Sequence, residues 1–252
     1  MYQILAYIKF LFNSTNQHGV HSPFIYNFVT KCLYDKKKYP KYDELNNYRK
    51  ILKDSNIALE ITDLGEGSKV LSSNQRRVSD MVKTSSSSKK ESKLLFRIAQ
   101  YFNFNNVLEL GTSLGMGTYA FALANTDSKI TTIEGCPNTS DYTKSQFIKN
   151  ITFLKGDFTT VIPTLIEDKF DCIYFDGHHN KKATIEYFET LLPKAHNETI
   201  FIFDDIYWSK GMTEAWNHIK SHRSVTVTVD SFHLGFVFFR KEQVKEHFKI
   251  RV

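Results

Sequence analysis

Three cysteines in 252 residues, Cys32, Cys136 and Cys172, form no pair with metal-ligand spacing. An odd number of unpatterned thiols argues against a disulfide framework and suits a reducing cytosol. Cys136 and Cys172 fall in or beside expected strands and read as small buried hydrophobes. The chain also lacks an apolar run long enough to cross a bilayer. Its N-terminal MYQILAYIKFLF is short, lacks a basic start, carries Lys9 and runs into the polar NSTNQHG. An amphipathic helix packing on the body is expected there, with no membrane partner and a cytoplasmic location. No long arginine-rich block is present either. The formal net charge of +6 and a pI near 9.0 permit an anionic partner. The charges are mixed, however, and the lysines spread along several expected helices, which points to a solvated basic surface.

With 41% hydrophobic and 14% aromatic residues, the chain can bury one sizeable core plus an appendage. Residues 1–56 read as a helical extension in three pieces, broken at Asn13 to Gly19 and Asp35 to Pro40. In HGVHSPFIYNFVTKCLY, Ser22 is an N-cap candidate and Pro23 suits the first helical turn. His18 and His21 read as turn residues, since nothing near them has the spacing of a metal site. Residues 57–92 read as a linker or lid. DLGEGS at 63–68 imitates a nucleotide-binding turn, but no second strand ending in an acid follows it. The serine and lysine run after it is low in complexity. As a cover over a site, this region would offer Arg76, Arg77, Lys89 and Lys90 as cations.

Residues 93–252 form the regular part. Strands are expected near 106–111, 129–134, 151–155, 170–176 and 199–204, with helices near 92–102, 117–125, 139–149, 159–166, 181–192 and 210–221. Such alternation with short connections specifies a parallel sheet covered by helices on both faces. SVTVTVD and GFVFF, joined by SFHL, read as an antiparallel pair that ends the sheet.

In such sheets ligands bind beyond the carboxyl ends of the strands. The first strand enters VLELGTSLGMGTYAFALA, where Gly111, Gly115 and Gly117 let the backbone approach a ligand closely ahead of a helix N-terminus. An acid marks each later strand end: Glu134, then Gly156 with Asp157 and Phe158, then Asp176, then Asp204 and Asp205. Glu134 is placed to accept the two hydroxyls of a ribose, and Asp157 to accept from an adenine amino group with Phe158 on the ring face. For either acid taken alone, a helix cap is an alternative role.

Residues 91–240 resemble the class I S-adenosylmethionine-dependent methyltransferases. VLELGTSLGMG is similar to the first motif of the catechol- and caffeoyl-coenzyme-A-type O-methyltransferases, TTIEGCP to the second, FLKGDFTTVIP to the third, FDCIYFDGHH to the fourth and IFIFDDIYW to the fifth. The resemblance implies an α/β, Rossmann-like methyltransferase fold: a seven-stranded, mostly parallel sheet with an antiparallel last strand, preceded by the helical extension. It implies that Glu109, Gly111, Ser113 and Gly115 surround the methionine part of the cofactor, Glu134 the ribose and Asp157 with Phe158 the adenine, with Asp176 also at the cofactor. In the metal-dependent branch, residues at the places of Asp176, Asp204 and Asp205 hold a divalent cation, which would be Mg2+. His179, three residues beyond Asp176, is placed as the base, as in macrolide-sugar O-methyltransferases, with its neighbour His178 as the other candidate and closure of the turn by hydrogen bonds to the backbone as the alternative role of both. Tyr207 and Trp208 are candidates for a substrate wall, with aromatic packing under a loop as the alternative.

The expected reaction is methyl transfer to a hydroxyl of a sugar, polyketide or phenolic acceptor, by a chain compatible with a homodimer. A nucleic-acid methyltransferase is the runner-up, encouraged by the charge and opposed by DGHH, where base N-methylating relatives carry an Asn or Asp before two prolines and an aromatic. A non-catalytic cofactor-binding module is the third reading. A nicotinamide dehydrogenase is disfavoured, because G-x-x-x-G-x-G departs from G-x-G-x-x-G.

Overall fold

The computed structural model describes residues 1–62, 74–84, 86–147 and 150–252. In chain order these form α1 (Tyr2–Asn13), α2 (Pro23–Phe28), α3 (Lys41–Asp54), β1 (Ala58–Glu60), β2 (Gln75–Arg77), α4 (Val78–Thr84), α5 (Lys89–Phe102), β3 (Asn106–Leu110), α6 (Met116–Ala124) and β4 (Lys129–Glu134). There follow α7 (Pro137–Ser145), β5 (Ile151–Lys155), α8 (Phe158–Val161), β6 (Cys172–Phe175), α9 (Lys181–Leu191), β7 (Ile200–Phe203), α10 (Lys210–Ser221), β8 (Val227–Asp230), β9 (Gly235–Phe238) and β10 (Glu246–Lys249). The DLGEGS segment lies outside the described residues. No helix among the described residues is long and apolar enough to cross a membrane. All three cysteines are buried and none is in a disulfide.

The helices begin where side chains can satisfy their first N–H groups. Ser22 accepts from the Ile25 N–H ahead of Pro23, Asn180 from Ala183 and Ser209 from Met212. Ser88 and Glu91 form a reciprocal capping box, so α5 starts at Lys89, inside the stretch read as linker. Asn103, in the left-handed region at φ 51°, ends it.

The chain divides into two compact units, residues 36–165 and residues 1–35 with 166–252. In the first, β3, β4 and β5 are parallel neighbours in that order, and α5 and α6 pack together. β1 and β2 pair antiparallel. Tyr48, Leu52, Val78, Met81, Val82, Leu114 and Met116 form one buried cluster there. This core joins α3 and α4 to the turn that follows β3.

In the second unit the strand order is β10-β8-β9-β7-β6. β6, β7, β8 and β9 are buried along their whole length, as expected of strands covered on both faces. Phe28 of α2 packs edge-on to Phe236 and Phe238 of β9, at 5.3 and 5.7 Å between centroids. β9 runs antiparallel to both β7 and β8, as the SVTVTVD and GFVFF pairing predicts. All seven expected strands form. β10 is an addition: it lies parallel to β8, so the antiparallel strand is the one before last.

Gly235 opens β9 against the indole of Trp216, which is 1% exposed. A Cβ there would lie 2.8 Å from two ring carbons of Trp216 and 3.1 Å from a methyl of Ile206. Gly235→Ala is therefore expected to lower stability by about 1–3 kcal/mol through overpacking. Urea unfolding of the two proteins tests this, and an unchanged midpoint would show that the ring can yield.

Candidate functional site

In the 36–165 unit, Glu134 at the end of β4 gathers the glycine turn. Its Oε2 accepts the Ser113 N–H at 2.8 Å and its Oε1 the Cys136 N–H at 2.9 Å. Its main-chain carbonyl accepts the Gly156 N–H at 3.0 Å, tying in the end of β5. The turn hooks onto β4 as well, since the N–H groups of Gly111 and Thr112 both donate to the Ile133 carbonyl, at 2.9 and 3.3 Å. Gly111, Ser113 and Gly115 have φ of 102°, 46° and 72°. Alternation of such residues turns the backbone sharply at the mouth of α6, and glycine removes the steric cost at two of the three positions.

Two side chains absent from the sequence reading brace this turn. Tyr48 of α3 donates its hydroxyl to the Leu114 carbonyl at 2.8 Å, and Thr143 of α7 donates to the Ser113 carbonyl at 2.7 Å. Burial pushes the Tyr48 hydroxyl far above the usual phenol range, so it stays a donor. Nothing local in the sequence marks either residue, because each acts across a tertiary contact.

Glu109 is buried at the end of β3, just before the turn. It is 1% exposed, and its Oε2 accepts from the Thr118 hydroxyl and, at 2.7 Å, from the Thr132 hydroxyl. Thr132 spends its one proton there, so the 2.6 Å contact between Thr112 and Thr132 is a donation from Thr112. Burial is the main influence on Glu109 and pushes its carboxyl up to about 7; the threonine hydrogen bonds oppose the rise and the Glu134 charge adds to it. The folded protein thus holds this proton through a range where the unfolded chain has released it, and stability falls as pH rises from about 4.5 to about 7. The loss is on the order of 3 kcal/mol. Glu109→Gln should flatten the stability profile between pH 5 and pH 8 by that amount in urea titrations. A slope identical to wild type would contradict this.

Asp157 is the N-cap of α8, its Oδ1 accepting the Thr159 N–H at 2.8 Å. The structure thus shows the capping role for it. Phe158 is 4% exposed and belongs largely to the core.

In the other unit, Asp176 and His179 come together beyond β6, with Oδ1 and Nε2 3.7 Å apart and side chains 22% and 24% exposed. At that separation the carboxylate stabilises an imidazolium by charge more than by a hydrogen bond. Trp208 lies beside His179, with ring centroids 6.4 Å apart. His178 turns the other way: at φ 55° it closes the turn, and its Nδ1 lies 2.7 Å from the Tyr187 hydroxyl. Tyr207 donates its hydroxyl to Asp230 at 2.6 Å and stacks its ring on Phe232. Burial raises both partners of that pair above their ordinary range.

Asp204 and Asp205 end β7, but the expected three-carboxylate cation set with Asp176 is not assembled. Among the described residues no group of three or more His, Cys, Asp or Glu is gathered at metal-holding distances. Asp204 closes its own turn, its Oδ1 accepting the Asp205 N–H at 2.8 Å, while Tyr174 donates to its Oδ2 at 3.4 Å. Asp205 itself takes the left-handed conformation at φ 52°.

Comparison with known proteins follows the same lines. Residues 108–206 match a family model described as a methyltransferase domain. Among solved structures, an S-adenosylhomocysteine-bound methyltransferase of Podospora anserina is 13% identical with a TM-score of 0.61, over 88% of this chain and 97% of that one. TomG of Streptomyces achromogenes, an O-methyltransferase of tomaymycin synthesis in complex with S-adenosylmethionine, is 14% identical with a TM-score of 0.56, over 81% and 91%. An O-methyltransferase of Bacillus cereus in complex with S-adenosylhomocysteine is 16% identical with a TM-score of 0.54, over 84% and 96%. No curated protein sequence matches the chain. Residues 108–206 thus match a methyltransferase-domain model, and the chain shares the fold of solved S-adenosylmethionine-dependent methyltransferases.

Proposed function

We propose that this methyltransferase methylates a hydroxyl of a small molecule, a sugar, polyketide or phenolic compound. The observation that carries the choice of oxygen is the Asp176–His179 pair, a partly accessible imidazole with a carboxylate 3.7 Å away. An alcohol or phenol must lose its proton as it becomes a nucleophile, and an imidazole suits that transfer near neutral pH. Asp176 stabilises the imidazolium that results. Two of the similar structures are O-methyltransferases, which supports the same choice.

The chemistry of the 36–165 unit fits S-adenosylmethionine. That cofactor, when bound, supplies an electrophilic methyl group on a sulfonium. The Glu134 carboxylate, held in orientation by the Ser113 and Cys136 N–H groups, accepts the ribose hydroxyls. The backbone of Gly111, Ser113 and Gly115 meets the methionine part, and Asp157 with Phe158 marks the adenine end. A Mg2+ ion would supply acidity to the acceptor hydroxyl, but Asp204 is committed to its own turn and the donor set is not gathered. The proton is therefore assigned to His179 and no step to a cation.

The net charge of +6 is the one feature that favours nucleic acid as the acceptor. A methyl-transfer assay on sugar, polyketide and phenolic acceptors, with RNA in parallel, separates the two. An O-methyl product from a small hydroxyl compound is expected. Methyl incorporation confined to RNA, with strongly salt-sensitive binding, would replace this reading with the nucleic-acid one. Absence of transfer to any acceptor would favour a binding module.

A further inference from the structure

The first helix is apolar on two sides and uses only one. Its inward side is carried by Phe10, which is 2% exposed and packs on Phe232 and Tyr207 at 5.5 and 6.4 Å between centroids. Tyr7 meets Phe232 edge-on at 4.8 Å. Ile4, Leu5, Ile8, Leu11 and Phe12 stand at i, i+1, i+4, i+7 and i+8, which at 3.6 residues per turn places them in one stripe opposite Phe10. They are 66, 61, 45, 38 and 86% exposed.

A helix on a protein surface normally turns charge outward. α1 turns five large hydrophobes outward and carries one charge, Lys9. The bare apolar area of the stripe with Met1 is roughly 500–700 Å2, at or above the largest patch of a typical monomer. Two such stripes in contact would remove about 1,000–1,400 Å2, which reaches the lower end of the range of specific interfaces. A self-complementary stripe about a two-fold axis gives a closed dimer, its ridges packing at the usual helix–helix separation of ~8–10 Å. A lipid surface fits less well. Interfacial helices set a Lys- and Arg-rich polar face against their apolar one. In α1 the opposite face is instead packed on its own fold.

We propose that the outer stripe of α1 is a homodimer interface, with the α1 helices of two copies packed against each other. Sedimentation equilibrium of the full chain tests it. Wild type is expected at twice the 29.3 kDa chain mass. Leu5→Glu with Phe12→Glu should weaken association at least about 100-fold, while circular dichroism and the thermal midpoint stay those of the folded chain. Should the double variant fail to fold, Phe12→Glu alone, at the most exposed position of the stripe, is read in the same way. Val244→Glu, at a residue 72% exposed outside α1, should leave the dimer intact. A wild-type monomer at about 100 μM would overturn the proposal. So would a dimer unchanged in the charged variants. A wild-type monomer that co-sediments with phosphatidylcholine–phosphatidylglycerol vesicles would assign the stripe to lipid instead.

Discussion

Gly115→Ala is expected to lose about 2–4 kcal/mol of stability and to bind S-adenosylhomocysteine far more weakly than wild type. Two costs add. The residue sits at φ 72°, where a side chain is strained, and a Cβ there would lie 2.7 Å from a methyl of Thr143 and 2.8 Å from a ring carbon of Phe147. Thr143 has little room to move, because its hydroxyl holds the Ser113 carbonyl. The turn would have to shift, and Ser113 with it, away from the Glu134 carboxylate. The glycine is thus required for packing against α7 and for the backbone, before any ligand is considered. Thermal unfolding and calorimetry of the variant check both effects. A midpoint and an affinity equal to wild type would show that the turn tolerates displacement.

His179→Ala is expected to lower kcat by about 10²–10⁴, the usual contribution of a general base. Affinity for S-adenosylhomocysteine should stay the same, because the cofactor is assigned to residues of the 36–165 unit. Asp176→Asn should produce a smaller fall in kcat, since it removes the charge that stabilises the imidazolium and leaves the imidazole. His178→Ala should act through the turn, where the ring meets Tyr187, and should move stability more than the pH profile. A His179→Ala enzyme with full turnover would remove the proposed base.

Much of this was legible in the chain because apolar runs and acids mark the strand ends directly. The expected strands at 129–134 and 151–155 and the helix at 210–221 coincide with β4, β5 and α10. Glu134 and the Asp176–His179 pair stand at the ends of strands, as read. What escaped has physical reasons. β10 is spelled EHFK, a charged edge strand whose pairing with β8 depends on a neighbour some twenty residues earlier. Tyr48 looks like any aromatic on a half-buried helix until its hydroxyl reaches Leu114. Glu109 precedes the glycine turn, where its sequence position does not mark it as buried. Its strand, however, is buried along nearly its whole length, and the carboxylate meets threonines from α6 and β4. Nor does the sequence show that Asp204, adjacent to Asp205, uses one carboxylate oxygen to close the turn between them.

The cofactor assignment rests on Glu134, and calorimetry of S-adenosylhomocysteine binding tests it directly. Wild type should bind at one site per chain. Glu134→Ala should weaken binding at least about 100-fold, the cost of two hydrogen bonds to a charged acceptor. Glu134→Gln, which keeps an acceptor oxygen near Ser113, should fall between them. No heat of binding with the wild-type chain, or undiminished affinity in Glu134→Ala, would contradict the placement of the cofactor on this strand end.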